Sequence, residues 1–209
     1  MAGRGLDRFV IRLLEACCRQ LWGFSPRMIG GIIGAKGAVR GFFWFATNLP
    51  RYLMTMRVLG PVRTHLACAT ISLHNACVYC AFGQAYALEL IYLRDTGRLF
   101  PLDTRMLSDW LHLEPRQLGA RLRAVLQEAG LHGEAVWVDL TLAFIRGEQQ
   151  PIDEDEARVA HLVGMVSEMN RIANATGAEP DGAQDPINKD LALKAVHAEL
   201  RRAGAAGQA

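Results

Sequence analysis

Apolar residues recur along most of this chain at the three- and four-residue spacing of a helix face, and the alternation that marks half-buried strands is nearly absent. Leu6, Phe9, Val10, Leu13, Leu14, Cys17 and Leu21 fall on one stripe, with Arg8, Arg12 and Arg19 elsewhere on the turn. A second stripe, from Val159 through Leu162, Val166 and Met169 to Ala173, keeps its face for about five turns. Asp153 and Glu156 resemble a capping box in front of it, acids at 153–156 suit the positive end of the helix dipole, and Gly177 supplies a C-terminal cap.

Other signals place the remaining elements. Ser25-Pro26 reads as an N-cap followed by the first helical residue, while the glycines of Gly30-Gly31-Ile32-Ile33-Gly34 weaken any helix there. That stretch also lacks the Walker spacing to Lys-Ser/Thr and is no phosphate loop. Asn48-Leu49-Pro50 opens a helix running towards Leu59, and Gly60-Pro61 breaks the chain and starts the next. Asp103 caps a short helix near 106–110, Glu114-Pro115 starts one that ends at Gly130, and residues 134–146 form an apolar helix. Residues 178–187, rich in Gly, Pro and Asp, read as a linker before a polar helix over roughly 188–203. The expectation is an all-α chain: a basic helical arm (1–47), a helical core (48–177), and a linker, polar helix and tail (178–209).

Composition adds an asymmetry. The 209 residues are 51% hydrophobic and 21% charged, enough for a sizeable core, which excludes a disordered chain. The net charge of +2 hides a first segment, residues 1–63, with ten Arg/Lys and two acids. Because the basic residues are scattered, the arm is expected to pack on an acidic partner surface such as a neighbouring subunit. Contact of residues 4–21 with a membrane surface is the alternative, and no nucleic-acid partner is expected. Residues 64–88 carry no charge and are long enough to cross a bilayer, yet His65, His74, Asn75 and Gln84 would be costly in lipid. The expected place for this segment is the interior of a soluble homo-oligomer. An odd, clustered set of five cysteines and the lack of a signal-peptide layout at the N-terminus point to a reducing, cytoplasmic setting. Cys17 and Cys18 are expected as small buried residues on the apolar side of the first helix.

The chemistry concentrates at Cys77 and Cys80. On a helix they share a face with Gln84. If the helix begins near Asn75, its free amides and dipole favour thiolate, and the second thiol can close a disulfide on an oxidised first one. Zinc would need two more ligands; His65 and His74 are near, but there is no second Cys-x-x-Cys and no His-x-His. Two small buried cysteines without a role are the remaining possibility. No cofactor or metal is expected.

The segment Ser72-Leu73-His74-Asn75-Ala76-Cys77-Val78-Tyr79-Cys80 resembles the core signature of the alkylhydroperoxidase D (AhpD)-like family, which also holds carboxymuconolactone decarboxylases. Asn48-Leu49-Pro50 is similar to a helix opening of that family, and Met169-Asn170-Arg171-Ile172-Ala173-Asn174-Ala175-Thr176-Gly177 is similar to its closing helix end. The three pieces span about residues 48–177. The resemblance implies an all-α fold in trimers or larger rings such as hexamers. It implies a thiol site that reduces a peroxide or disulfide substrate and is re-reduced by a lipoylated or thiol partner. It makes Cys80 the attacking thiol and Cys77 the resolving one.

Two positions depart from the family. Twelve residues before the first cysteine, where the family has Glu, stands His65; four after the second, where it has His, stands Gln84. Glutamine cannot serve as a base near neutral pH. His65 could, with an unperturbed pKa near ~6.5. His74, three residues before Cys77, is a second candidate that could lower a thiol pKa by its charge. Tyr79 and Tyr86 could donate to a peroxide oxygen but suit packing as well. His112, His132, His161 and His197 lie on other helices and enter no argument. The expected function is thiol-dependent peroxidase or disulfide reductase chemistry. The rival is a non-catalytic oligomer with a decayed relay, serving as a binding or scaffold module.

Overall fold

The computed structural model describes residues 2–206, and all regular structure among them is helical. In chain order the α-helices are α1 (Ala2–Trp22), α2 (Met28–Lys36), α3 (Ala38–Leu59), α4 (Pro61–His74), α5 (Val78–Thr96), α6 (Pro115–Glu128), α7 (Ala135–Ile145), α8 (Glu154–Thr176) and α9 (Leu191–Ala206). Short 3-10 turns lie at Thr104–Trp110, His132–Glu134 and Pro186–Lys189.

The uncharged segment forms the central hairpin α4–α5. Every residue from Thr64 to Leu73 is buried, so α4 is surrounded rather than laid on a surface. Its hydroxyls are satisfied within the helix: Thr64, Thr70 and Ser72 donate to the carbonyls of Gly60, Leu66 and Cys68. That is how a polar-spotted segment tolerates burial. It is enclosed by helices of its own chain, and no helix of the described residues is long and apolar enough to cross a membrane. On one side Leu66, Leu73 and Leu88 join Leu118, Leu122 and Leu142 of α6 and α7. On the other, Ala67, Cys68 and Ile71 meet Val10 and Leu14 of α1, Ile29 and Ile33 of α2, Tyr52 of α3 and Leu162 of α8.

Three expectations give way. The helix expected to open at Asn48 is the second half of one longer helix, α3, with Pro50 inside it, so the boundary expected at 47/48 falls within an element. Pro50 lacks the N–H that would serve the Ala46 carbonyl, and the helix runs on through Tyr52, Thr55 and Leu59, which are buried. The Gly30–Gly34 stretch is helical as α2, because Ile29, Ile32 and Ile33 are buried and their burial outweighs the glycines' poor propensity. The expected linker is part of the core: Ala183, Gln184, Asp185 and Ile187 are buried. Gln184 N–H donates to the Gly83 carbonyl, and a Cβ at Gly83 would come within 2.7 Å of Gln184, so that glycine lets the segment dock on α5.

The last helix is also fastened. Glu89 of α5, wholly buried, accepts from His197 and Arg201 of α9 and from the Thr104 amide. His197, which sequence reasoning set aside, is thus one anchor of α9. Cys18 is buried as expected, which pushes its thiol pKa up to about 12, but Cys17 is exposed.

Candidate functional site

The chain turns from α4 into α5 through a tight backbone motif. Cys77 N–H donates to the Ser72 carbonyl and Ala76 N–H to the Leu73 carbonyl, the paired bonds of a Schellman cap. Ala76 occupies the left-handed position with φ 49°, where glycine is the usual residue. The turn is held from α8: Asn75 donates to Ser167, and Asn174 donates to the Asn75 carbonyl. Asn174 belongs to the C-terminal sequence piece, so two of the three pieces noted in the sequence meet here. The third does not reach this turn; Asn48 Oδ1 instead accepts from His161 Nε2 at 2.9 Å.

Cys77 is the N-cap residue of α5, in extended conformation, and Cys80 is the third helical residue. No cap bond of ordinary geometry closes from the sulfur to the first turn. The thiolate is nonetheless favoured at Cys77, whose pKa falls below the usual thiol range. The largest cause is the Cys80 thiol donating to it; burial opposes, and the Cys80 amide, the Asn170 side chain and the Tyr79 amide add to the lowering. Cys80 is pushed the other way, first because it donates to Cys77 and then by burial. Thiolate character therefore falls on the thiol to which the resemblance gives the resolving role. Asn170 is 1% exposed, and its amide, near enough to Cys77 to favour the thiolate, makes no hydrogen bond of ordinary geometry.

Both sulfurs are sealed from solvent. They sit among Met28, Ile32, Tyr79, Ile172 and Ala173. A cavity of ≈ 60 Å³ lies beside this cluster and shares Met28, Ile32 and Tyr79 as walls, with neither cysteine lining it. Its other walls include Trp44, Phe45 and Met169, and Tyr52, Gln84 and Gln184 form its polar end.

Gln84 belongs to a closed network. Its Oε1 is 2.7 Å from His65 Nδ1 and accepts a long bond of 3.5 Å from Tyr52, while its Nε2 donates to Gln184. The other ring nitrogen of His65 is 3.0 Å from Asp185 Oδ2. Both ring nitrogens thus face side-chain oxygens. Burial alone would raise the Asp185 pKa; the hydrogen bond and charge of His65 outweigh it, so the carboxyl titrates below its usual range. No hydrogen bond joins His65 or Gln84 to either sulfur.

The structure thus unites Cys77 with Cys80 at the start of α5 and His65 of α4 with Gln84 one turn further along α5, with no hydrogen bond between the two pairs. His74 stands apart: it ends α4, half-buried, with Nδ1 3.3 Å from Asn75 Oδ1. Tyr79 donates to Asp181, and Tyr86 stacks near Phe82 and His197. Among the described residues no three His, Cys, Asp or Glu side chains are grouped to hold a metal ion. Sequence reasoning missed Tyr52, Gln184, Asp185 and Asn170. Asp185 before Pro186 is a cap signal that could have lifted the segment out of the linker class, since its carboxylate accepts from the Ile187 amide. Compared with protein-family models, with curated proteins and with solved structures, the chain matches none.

Proposed function

We propose that this chain is a thiol-dependent oxidoreductase of the AhpD-like type, working through Cys77 and Cys80 in a reducing, cytoplasmic setting as a homo-oligomer. The observation that carries the reading is the placement of Cys77 at the N-cap of α5 with Cys80 one turn on, both in one buried cluster. A thiolate held in this way is a nucleophile with its resolving partner one turn away. Cys77 Sγ attacks an oxygen of the peroxide; the O–O bond breaks, leaving a Cys77 sulfenic acid and an alcohol or water once the leaving oxygen takes a proton. Cys80 Sγ then attacks the Cys77 sulfur; the S–O bond breaks, the Cys80 thiol proton goes to the leaving hydroxyl, and the Cys77–Cys80 disulfide forms with release of water. A dithiol, lipoylated or otherwise, reduces it by exchange. This order reverses the one the resemblance implies.

The rival, a non-catalytic scaffold, draws on one observation: His65 has both nitrogens engaged by Gln84 and Asp185, and no base faces a sulfur. Trapping separates the readings. With peroxide and dimedone, Cys80→Ser should accumulate a sulfenic-acid adduct at Cys77, and Cys77→Ser should label Cys80 at least tenfold more slowly. The opposite ranking restores the order implied by the resemblance, and no adduct in either variant favours the scaffold.

A further inference from the structure

α1 carries two apolar faces. Val10, Leu14, Cys18 and Trp22, four residues apart, point into the core. Leu6, Phe9 and Leu13 point outward, 47%, 64% and 46% exposed. Helix α3, packed against α1, turns Val39 and Phe43 outward in the same way, 58% and 61% exposed. The core needs none of these five. Exposed large apolar side chains clustered on two adjoining helices mark a surface that meets something apolar.

The charge among them is mainly positive: α1 carries Arg4, Arg8, Arg12 and Arg19 against Asp7 and Glu15, and α3 opens with Arg40. Among the described residues, Arg27, Lys36 and Arg63 are the cations of the first 63 residues that meet a carboxylate. Arg4, Arg8 and Arg12 on α1 and Arg40 on α3 stand exposed without one. Arg8 and Arg12 run beside Phe9 and Leu13 on the outward side. At the far end of α3 the sign is mixed, since Arg51 lines a depression with Glu154, so the excess of positive charge is that of α1 and the start of α3.

We infer that the outward face of α1 and the N-terminal half of α3 docks on the surface of an anionic lipid bilayer. Phenylalanine and leucine enter the acyl boundary while the arginines meet the headgroups. A second copy of the chain is a poorer occupant, because a two-fold contact through this face would set its arginines against their own images. Nucleic acid would use the arginines and leave the phenylalanines without a role. The chain lies on the bilayer rather than through it, as no described helix can span one.

Vesicle co-sedimentation tests this, with the full chain and vesicles of phosphatidylcholine alone or with phosphatidylglycerol. Binding is expected to the anionic vesicles only, and to weaken as salt rises. Phe9→Ser and Phe43→Ser should each lower the partition coefficient roughly tenfold or more, and Arg8→Glu and Arg12→Glu roughly fivefold or more each. Ile152→Ser, at a residue 82% exposed elsewhere, should change nothing. Helix content by circular dichroism should match across the set. Equal sedimentation with both vesicle types, or with neither, overturns the inference. So does a self-association in sedimentation velocity that the Phe9→Ser/Phe43→Ser double variant abolishes while vesicle binding is absent.

Discussion

Nδ1 of His65 stands 2.7 Å from Oε1 of Gln84, so the residues at the two positions where the sequence departs from the resemblance meet directly across α4 and α5. The imidazole comes from α4 and the amide from α5, the reverse of the arrangement the resemblance implies. Behind His65 lies Asp185, from a segment with no place in the sequence motif.

Placing at these positions, one at a time, the residues that the resemblance implies therefore carries a cost. His65→Glu sets a second buried carboxylate against Asp185 and should destabilise the fold by about 3–5 kcal/mol. His65→Glu with Asp185→Asn removes the clash and should recover most of that loss. Chemical denaturation of both variants checks this; equal stability of His65→Glu and the parent would show that the pair carries no charge coupling.

Ala76 holds φ 49° in the turn before Cys77. A left-handed conformation costs an alanine about 1–2 kcal/mol, and glycine gives part of that back as unfolded-state entropy. Ala76→Gly should stabilise the chain by about 0.5–1 kcal/mol. A lowered denaturation midpoint would mean that Ala76 makes contacts worth more than its strain.

Met28 walls both the cavity and the cysteine cluster. Met28→Ala should open a path between them, raising the rate of thiol labelling at Cys77 while costing about 2–5 kcal/mol of stability. Unchanged labelling in a destabilised protein would place the access route elsewhere.

Glu168 of α8 ties down α2. Its carboxyl pKa is lowered to about 2, first by the hydrogen bond from Arg171 and then by that from Lys36. The folded pKa lies below the unfolded one, near ~4.3, so the stabilisation is complete above that value and is lost as pH falls towards about 2. Glu168→Gln should lower stability at neutral pH by ~1 kcal/mol and flatten the acid limb. An unaltered acid limb would leave Asp185, whose pKa is lowered in the same direction, as the carboxylate that governs it.

Helix existence was largely legible because it rests on local periodicity and caps: Asp103, Glu114, Asp153, Gly60 and Gly177 all mark ends where the sequence puts them. Pro50 misled, since it sits inside α3 and not at its start, and the burial of Tyr52, Thr55 and Leu59 beyond it carries the helix on. Buried isoleucines overrode the glycines of α2. The thiol pair was legible from spacing alone. The network around His65 was not, because Tyr52, Gln184 and Asp185 are distant in sequence and only docking at Gly83 brings the last two to it. The outward stripe of α1 was merged with the inward one, as both share the same spacing and only the neighbouring helices decide which face is covered.

The most direct measurement is peptide mass mapping of the full chain after one equivalent of hydroperoxide, with remaining thiols blocked. A Cys77–Cys80 disulfide, with Cys17, Cys18 and Cys68 still alkylated, is the predicted result. Recovery of Cys77 and Cys80 both as free, blocked thiols would contradict it.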